Sequence, residues 1–333
     1  MASTKFKFTV GMVAMLAAAI GLAGCGSNDN SSANEASAPP SESQATTTAQ
    51  QPETGSETVR KVTDEFGEIE IPVNPQRVAG IYLEDYLTAL GVEPIVQWYH
   101  PSWGKQDYLG LDMPQFDITG SMEAMVAADP DLIIVDGGVD AAKYEQYSKV
   151  APTYRIPEQY LGDSTEVLKQ VADVLGIPEK AETKLSEYNQ KISDAKAKFQ
   201  STIGKETVAV VRLNIGDKTL ALFGTKNRFT GFIYNQLGLT PHPMTVMEDF
   251  QKVLSEEAIP ELDADHIIIF PSNGAWDSKE NQEAVKLLDS PLWKSLPAVK
   301  NNHVYSYDRS HWQSGAIIAN EMKIDDLLKS LAP

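Results

Sequence analysis

The chain contains few of the residue patterns that enzymes or metal sites use. Its 333 residues include no G-x-S-x-G nucleophile motif, no G-x-x-x-x-G-K-[ST] phosphate loop and no G-x-G-x-x-G dinucleotide motif. Its five histidines have no metal-type spacing: His100, His242, His266, His303 and His311. The sequence therefore predicts neither an enzyme nor a side-chain metal site, and a cell-surface hydrolase with an unobvious site is the alternative.

The side chains best suited to bind a ligand are aromatic residues and arginines near the ends of predicted strands or, for Arg228, at the start of a helix beside them. In open parallel sheets, ligands bind beyond the carboxyl ends of the strands, so residues there are expected to face a cleft. The candidates are Tyr82, Trp98, Tyr99, Trp276 and Trp312, together with Arg212, Arg228 and Arg309. Flat rings suit an organic ligand, and guanidinium groups pair with carboxylate and other anionic oxygens. An ordinary packing or surface role is the alternative at each position.

Short apolar runs rich in Val and Ile alternate with helical patterns along the body of the chain. The predicted strands are Arg77–Ile81, Pro94–Gln97, Leu132–Val135, Thr207–Leu213, His266–Phe270 and His303–Tyr307. Apolar strands separated by helices are typical of parallel sheets covered on both faces, so the predicted class is α/β. Residues 121–135 match residues 255–269 at seven of fifteen positions without a gap. This repeat predicts two lobes built on one plan, although any helix-turn-strand unit could give a similar match.

Between the two copies of the repeat, residues 178–204 have the pattern of one long helix. Seven apolar residues recur at spacings of three or four and would share one face: Ala181, Leu185, Tyr188, Ile192, Ala195, Phe199 and Ile203. Pro178 suits the first turn, and Gly204 suits a left-handed stop. We expect a helix about 40 Å long that joins the two lobes, with a coiled-coil strand as the alternative.

The N-terminal residues 1–24 have the layout of a secretory signal peptide, with two lysines, an uncharged apolar stretch and then small residues. Leu22-Ala23-Gly24-Cys25 resembles the lipobox of bacterial lipoproteins, and Cys25 is the only cysteine. We expect a lipid anchor at Cys25, with an ordinary signal peptide and a chance cysteine as the alternative. Residues 25–58 lack the apolar content that a core requires and predict a flexible tether.

The charge of the chain limits its partners. The formal net charge is -18, and it becomes about -20 without the two lysines of the signal peptide. Such a charge disfavours nucleic acids and anionic membrane surfaces. An anionic ligand would need locally clustered arginine or lysine.

Over nearly the whole mature chain, the sequence resembles the periplasmic-type binding proteins of iron-siderophore and cobalamin importers. The resemblance is carried by residues 66–81 (FGEIEIPVNPQRVAGI), 120–135 (GSMEAMVAADPDLIIV), 254–270 (LSEEAIPELDADHIIIF) and 291–312 (PLWKSLPAVKNNHVYSYDRSHW). It implies the class III periplasmic binding protein fold: two Rossmann-like α/β lobes with mainly parallel sheets, joined by one long α-helix. The expected divisions are a signal peptide at 1–24, a lipidated tether at 25–58, an N-terminal lobe at 59–177, a connecting helix at 178–203 and a C-terminal lobe at 204–333.

The resemblance also implies a function. It implies an extracytoplasmic, lipid-anchored, monomeric receptor that delivers a ferric siderophore to the permease dimer of an ABC importer. The siderophore would hold the iron, so no resident cofactor is expected. Arg212 and Trp312 best match the surroundings of binding positions in hydroxamate-type relatives. Glu123 and Glu257, which occupy equivalent places in the repeat, correspond to glutamates that dock on a two-fold permease, with a solvated helix residue as the alternative at each position.

The expected ligand is a hydroxamate or citrate-hydroxamate chelate of iron. A ferric tricatecholate carries several negative charges and would need a more basic cleft. Haem, cobalamin and ferric catecholates are the alternative ligands. Haem stays possible because Tyr99, His100 or His311 could supply an axial ligand to its iron. The histidine pattern disfavours the zinc or manganese receptors of the same fold group.

Overall fold

The computed structural model describes residues 58–279 and 281–333. The expected signal peptide at 1–24, the lipidation site Cys25 and the expected tether up to residue 57 lie outside the described residues. In the described part of the chain, no helix combines the length and the apolar character needed to cross a membrane.

The part of the chain before residue 178 forms a hairpin and two small parallel sheets. Its strands are β1 (Val59–Asp64), β2 (Gly67–Pro72), β3 (Val78–Ile81), β4 (Gln97–Tyr99), β5 (Gln115–Asp117), β6 (Leu132–Val135) and β7 (Thr153–Arg155). Its helices are α1 (Glu84–Ala89), α2 (Glu123–Ala128), α3 (Ala141–Ser148) and α4 (Ser164–Leu175), with short 3-10 helices at Asp107–Leu109 and Glu158–Tyr160. Strands β1 and β2 pair antiparallel, whereas β3-β6-β7 and β4-β5 are parallel sheets.

One long helix, α5 (Pro178–Thr202), leads to the second part of the chain. It begins with proline at its first position, and Gly204, two residues beyond its end, has φ +58° in the left-handed region. Five of the seven apolar residues that the pattern placed on one face are buried within the helix: Ala181, Leu185, Tyr188, Ala195 and Phe199. This face packs against the core, and the opposite face is charged.

The part of the chain after α5 forms one mixed sheet of order β11-β9-β8-β12-β13, to which β10 adds beside β8. Its strands are β8 (Thr207–Asn214), β9 (Thr219–Phe223), β10 (Thr240–Pro241), β11 (Gln251–Leu254), β12 (His266–Pro271) and β13 (Val304–Ser306). Its helices are α6 (Phe232–Asn235), α7 (Pro243–Val246), α8 (Gln282–Val285), α9 (Pro291–Lys294), α10 (Pro297–Lys300), α11 (Arg309–Trp312) and α12 (Ile317–Leu331), with 3-10 helices at Glu256–Glu261 and Lys286–Asp289. Strand β8 pairs parallel with β10 and β12, and β12 pairs parallel with β13, whereas β9 pairs antiparallel with both of its neighbours, β8 and β11.

The predicted α/β class with mainly parallel sheets is confirmed, but one strand was predicted at the wrong residues. Strand β6 has the predicted bounds, whereas the strand predicted at Pro94–Gln97 begins at Gln97 and ends at Tyr99. Proline has no N–H to donate, which disfavours Pro94 inside a ladder. The apolar residues before Gln97 therefore approach the sheet without joining it, and Ile95 N–H donates to the carbonyl oxygen of Val78.

The two copies of the sequence repeat have related but unequal structures. The first copy contains α2 followed by β6, and the second contains the 3-10 helix Glu256–Glu261 followed by β12. Pro260 lies inside that 3-10 helix. Because proline removes a helical hydrogen bond, it favours the short 3-10 form over a regular α-helix.

The largest buried apolar cluster includes residues from both parts of the chain and runs along α4, α5 and α12. Separate clusters cover the other faces of the sheet after α5 and of the sheets before it. A buried polar contact adds to the large cluster: Asp85 in α1 accepts the N–H groups of Ile318 and Ala319 in the first turn of α12, at 2.9 and 3.0 Å. This contact fixes the N-terminus of α12 against α1.

Candidate ligand-binding cavity

A cavity of about 1140 Å³ lies at the carboxyl ends of strands from both parts of the chain. Tyr82 follows β3, Asp136 follows β6, Ile215 follows β8, and Ser272 follows β12. This location is the one expected for a ligand of an open parallel sheet. A shallower depression of about 500 Å³ lies on α5 and α12; half of its lining residues are charged residues of α5, and it shares no lining residue with the larger cavity. The chemistry predicted from the sequence therefore belongs to the larger cavity.

The wall formed by the part before α5 is aromatic. The Tyr82 ring meets the Trp98 ring edge-on with their centroids 4.9 Å apart, and both residues line the cavity. Trp103, whose exposed fraction is 53%, also lines it and stacks on His100 at a centroid distance of 3.8 Å. These rings offer broad apolar surfaces to an organic ligand.

The positions of Tyr82 and Trp98 in this wall depend on the backbone conformation of Tyr82 and on a hydrogen bond from Trp98 to the buried carboxyl group of Glu84. Tyr82 has φ +64°, a left-handed conformation that is uncommon for a residue with a side chain and that is often found at functional sites. Glu84 is fully buried, and its Oε1 accepts the N–H of Trp98, while no hydrogen-bond partner for Oε2 is found among the described residues. Burial raises the pKa of Glu84 to about 8, against the opposing effect of the Trp98 N–H. Glu84 is therefore protonated at neutral pH.

The wall formed by the part after α5 carries two arginines that are bonded to neutral acceptors. Arg212 donates from Nε to Asn214 Oδ1 at 2.9 Å and from Nη1 to Gln313 Oε1 at 3.3 Å. Arg309 donates from Nε to the carbonyl oxygen of Ser272 at 2.8 Å. Burial, and then the neighbouring charge of Arg309, lowers the pKa of Arg212, and burial lowers that of Arg309. Both stay charged at neutral pH, so this wall attracts an anion.

A third arginine pairs with a carboxylate from the opposite wall. Arg228 donates from Nη2 to Asp136 Oδ2 at 2.8 Å. Burial disfavours the charge of Arg228, but the Asp136 carboxylate outweighs it and raises the pKa of Arg228. The Arg228 guanidinium also lies 5.7 Å from the Tyr82 ring centroid and 5.6 Å from that of Phe229.

The cavity has a small positive balance of charge. Its cationic lining residues are Arg212, Arg228, Arg309 and Lys143, and its anionic ones are Asp136, Asp140 and Asp217. Within the described part of the chain, no group of three or more His, Cys, Asp or Glu residues could hold a metal ion. The lining is suited to bind an anionic or polar organic molecule, and guanidinium groups do not coordinate cations.

Five of the eight predicted cleft residues line the cavity: Tyr82, Trp98, Arg212, Arg228 and Arg309. Tyr99 does not, because successive side chains of β4 point to opposite sides and Trp98 takes the cavity side. Trp276 donates its indole N–H to the carbonyl oxygen of Tyr307 at 2.9 Å and packs on a buried apolar cluster.

Trp312, which the sequence ranked with Arg212 as a ligand contact, is also placed elsewhere. Its exposed fraction is 0%, its ring stacks on Tyr307 at a centroid distance of 4.8 Å, and its indole N–H donates to Asp326 Oδ2 at 2.9 Å. The side chain packs beneath the cavity wall because its apolar ring and its N–H both find partners in the interior. We therefore correct its predicted role from ligand contact to core residue.

Several lining residues were not singled out from the sequence. Trp103 lies a few residues beyond the predicted segment Trp98–His100, and Lys143 lies in the first turn of the helix that follows the loop after β6. Val253 lies on β11, an antiparallel edge strand that the sequence did not reveal. Extending each strand-end segment by a few residues would have found the first two.

Glu123 and Glu257 lie at corresponding places on the surface. Glu123 is the first residue of α2, and Glu257 is the second residue of the 3-10 helix Glu256–Glu261. Both side chains are exposed, and the backbone N–H of Glu257 and then Ser255 lower the pKa of Glu257. Each carboxylate is therefore available at the surface as an acceptor for a cationic partner.

Comparison with known proteins gives one consistent result. Residues 115–310 match the family described as periplasmic binding protein. The chain is 31% identical over 277 residues to the probable siderophore-binding lipoprotein YfiY of Bacillus subtilis, covering 77% of this chain and 82% of that protein. It is 30% identical over 281 residues to the iron(3+)-hydroxamate-binding protein FhuD of the same organism, covering 80% and 84%.

Solved structures of similar sequence have the same fold as this chain. A periplasmic binding protein component of a Fep/Fec-like ferrichrome ABC transporter from Bacillus subtilis, of the FhuD fold family, superposes with a TM-score of 0.68 at 26% identity, covering 81% of this chain and 99% of that one. SirA of Staphylococcus aureus, complexed with staphyloferrin B, superposes with a TM-score of 0.67 at 25% identity, covering 82% and 98%.

Proposed function

The chain belongs to the periplasmic binding protein family, and from that premise we propose that it is the extracytoplasmic receptor of an ABC importer that captures a ferric siderophore. The observation that carries the proposal is the cavity of about 1140 Å³, with aromatic rings on one wall and two arginines bonded to neutral groups on the other. The names of the relatives, which include siderophore-, hydroxamate- and citrate-binding proteins, support it.

The iron enters as part of a preassembled chelate. A bare cation would need converging carboxylates, thiolates or imidazoles, and the described residues contain no such group. Arg212 and Arg309 instead bind oxygen atoms of the chelate that carry negative charge, and Tyr82 and Trp98 contact its organic part. The protein acts by binding and release, without chemical turnover.

The chelate is of the hydroxamate or citrate-hydroxamate class. The lining residues carry one more positive than negative charge, which suits a neutral or weakly anionic complex better than a highly anionic tricatecholate. The preference of this cavity therefore follows from its balance of charge as well as from its volume.

Docking on the permease uses Glu123 and Glu257. Both are exposed at the start of a helical segment in equivalent copies of the repeat, which is the arrangement that a two-fold partner requires. Charge reversal at either residue is expected to abolish transport while chelate binding by the purified protein stays at the wild-type level. Normal transport by the double Glu→Lys variant would exclude this docking role.

The protein is held at the outer face of the cell membrane by a lipid on Cys25, with residues 25–58 as the tether. The names of two relatives as lipoproteins support this placement. Replacing Cys25 by Ser is expected to move the protein from the membrane fraction to the medium, and unchanged fractionation would exclude the anchor.

The receptor function is tested by calorimetric titration of the purified protein. The ligands are a ferric trishydroxamate, a ferric citrate-hydroxamate, a ferric triscatecholate, haem and cobalamin, each beside its iron-free form where one exists. Submicromolar binding of one of the first two, with intact ligand recovered by mass spectrometry, is the expected result. Binding of haem or cobalamin alone would change the ligand class, and conversion of the bound ligand would indicate an enzyme.

A further inference from the structure

The ion pair between Asp136 and Arg228 crosses the cavity. Asp136 follows β6 in the part of the chain before α5, and Arg228 follows β9 in the part after it, 92 positions away. Their side chains are 14% and 26% exposed, and the two charged atoms lie 2.8 Å apart. A pair with this geometry and little contact with solvent is screened less by water and salt than an exposed surface pair.

Both partners are held in place by other contacts. Asp136 Oδ1 accepts the N–H of Gly138 at 2.9 Å, which leaves Oδ2 for Arg228. The loop has little freedom here, because a Cβ atom at Gly137 would lie 2.5 Å from the carbonyl oxygen of Ile156. The Arg228 guanidinium lies within about 6 Å of the ring centroids of both Tyr82 and Phe229. The pair is therefore a built feature of the cavity.

The other two arginines of the cavity differ from Arg228 in this respect. Arg212 donates to two side-chain amide oxygens, and Arg309 donates to a backbone carbonyl oxygen. In the described part of the chain, neither arginine forms an ion pair with a carboxylate. Of the three guanidinium groups, two can offer their full charge to a ligand, and the charge of the third is neutralised by Asp136.

On the proposed function, we infer that Asp136 is a specificity-determining residue, which limits the negative charge of the chelate that the cavity accepts by occupying Arg228. A ferric trishydroxamate is neutral, because three singly charged hydroxamates balance the charge of Fe³⁺, whereas a ferric triscatecholate keeps three negative charges. Without Asp136, the cavity would face the chelate with three unpaired guanidinium groups. Asp136 thus selects against highly anionic chelates, which is discrimination by an unfavourable charge.

The test replaces Asp136 by Asn, which has the same shape without the charge. Calorimetry measures the binding of ferrichrome, a neutral trishydroxamate, and of ferric enterobactin, an anionic triscatecholate. In D136N the ratio of the two affinities is expected to shift toward the triscatecholate by roughly 10- to 100-fold. D112N is the matched control, because it removes the same formal charge from an exposed position that does not line the cavity and forms no ion pair within the described residues. Its shift is expected to be below about threefold, since an exposed charge is screened.

R228Q supplies an independent measurement if D136N folds poorly. It leaves the Asp136 carboxylate unpaired in the cavity, so the affinity ratio is expected to shift the opposite way, toward the neutral chelate. An unchanged affinity ratio in D136N and R228Q, or an equal shift in D136N and D112N, would overturn the inference while the wild-type protein still binds. Failure of the wild-type protein to bind any ferric chelate would overturn the proposed function itself.

Discussion

The replacement of Arg212 by Ala examines the anion-binding wall of the cavity. The Arg212 guanidinium lies 2.9 Å from Asn214 Oδ1 and 3.3 Å from Gln313 Oε1, and it lies 5.4 Å from the Phe223 ring centroid. None of these partners carries a formal charge, and burial lowers the pKa of Arg212. The charge is therefore placed where an anionic oxygen of the ligand would provide the missing partner.

The magnitude follows from the loss of one charge-assisted hydrogen bond to the ligand. Such a bond contributes about 1.5–3 kcal/mol, which corresponds to an affinity reduced by about 10- to 150-fold. Replacement by Lys keeps the charge but loses the planar pair of donors, so the affinity of R212K for the chelate is expected to lie between those of the wild type and R212A.

The assay is calorimetric titration of each variant with the ferric chelate that the wild type binds best. R77A is the matched control, because Arg77 is an exposed arginine that donates to the carbonyl oxygens of Ala128 and Asp129 and does not line the cavity. Thermal denaturation of each variant separates a loss of affinity from a loss of folding.

Two results would refute the reasoning. Wild-type affinity in R212A would remove Arg212 from the site, even though it lies on the cavity wall. An equal loss of affinity in R77A would show that the effect comes from stability or from overall charge rather than from a contact with the ligand.

Three other predictions test the cavity wall and the interior behind it. Trp98→Phe is expected to remove much of the quenching of protein fluorescence by a ferric chelate, whereas Trp312→Phe should retain that quenching. Trp312→Phe should instead lower the free energy of unfolding by about 1–3 kcal/mol, because Trp312 is buried and hydrogen-bonded to Asp326. Equal losses of quenching in the two variants would contradict this prediction. The folded protein keeps Glu84 protonated up to about pH 8, while the unfolded chain ionises it near pH 4.5, so the free energy of unfolding should fall by about 1.4 kcal/mol per pH unit between these values and then level off. Glu84→Gln should remove that fall in urea denaturation, and parallel pH profiles would exclude the burial argument. Asp85→Ala should lower the free energy of unfolding by about 2–4 kcal/mol in the same assay, because it leaves two buried N–H groups of α12 without an acceptor; an unchanged midpoint would contradict it.

The secondary structure was largely predictable because it depends on local periodicity. The buried run Leu132–Val135 is a strand with the predicted bounds, and the repeat of apolar residues at three and four positions gives the helix Pro178–Thr202. The error at Pro94–Gln97 has a local cause that an apolar run does not reveal. Which residue first joins a ladder depends on the hydrogen-bonding partner, and here the strand begins at Gln97.

The cavity was predictable in position but less so in composition. The rule that ligands lie at strand ends identified Tyr82 and Arg212, and Arg228 was predicted beside them at the start of a helix; all three line the cavity. The same rule could not separate Trp98 from Trp312, since both are aromatic residues near strand ends. Their directions are set by packing: Trp98 faces the cavity, and Trp312 is covered by Tyr307 and bonded to Asp326.

The sequence by itself determined the types of element, their order and the groups that could bind a ligand, because spacing and composition are properties of neighbouring residues. Only the tertiary structure decided which charges remain available to that ligand. Asp136 and Arg228 are 92 positions apart, and nothing in their local sequence pairs them. Electrostatic interaction depends on distance in space. The balance of charge in the cavity is therefore fixed only when the two parts of the chain bring Arg228 Nη2 within 2.8 Å of Asp136 Oδ2.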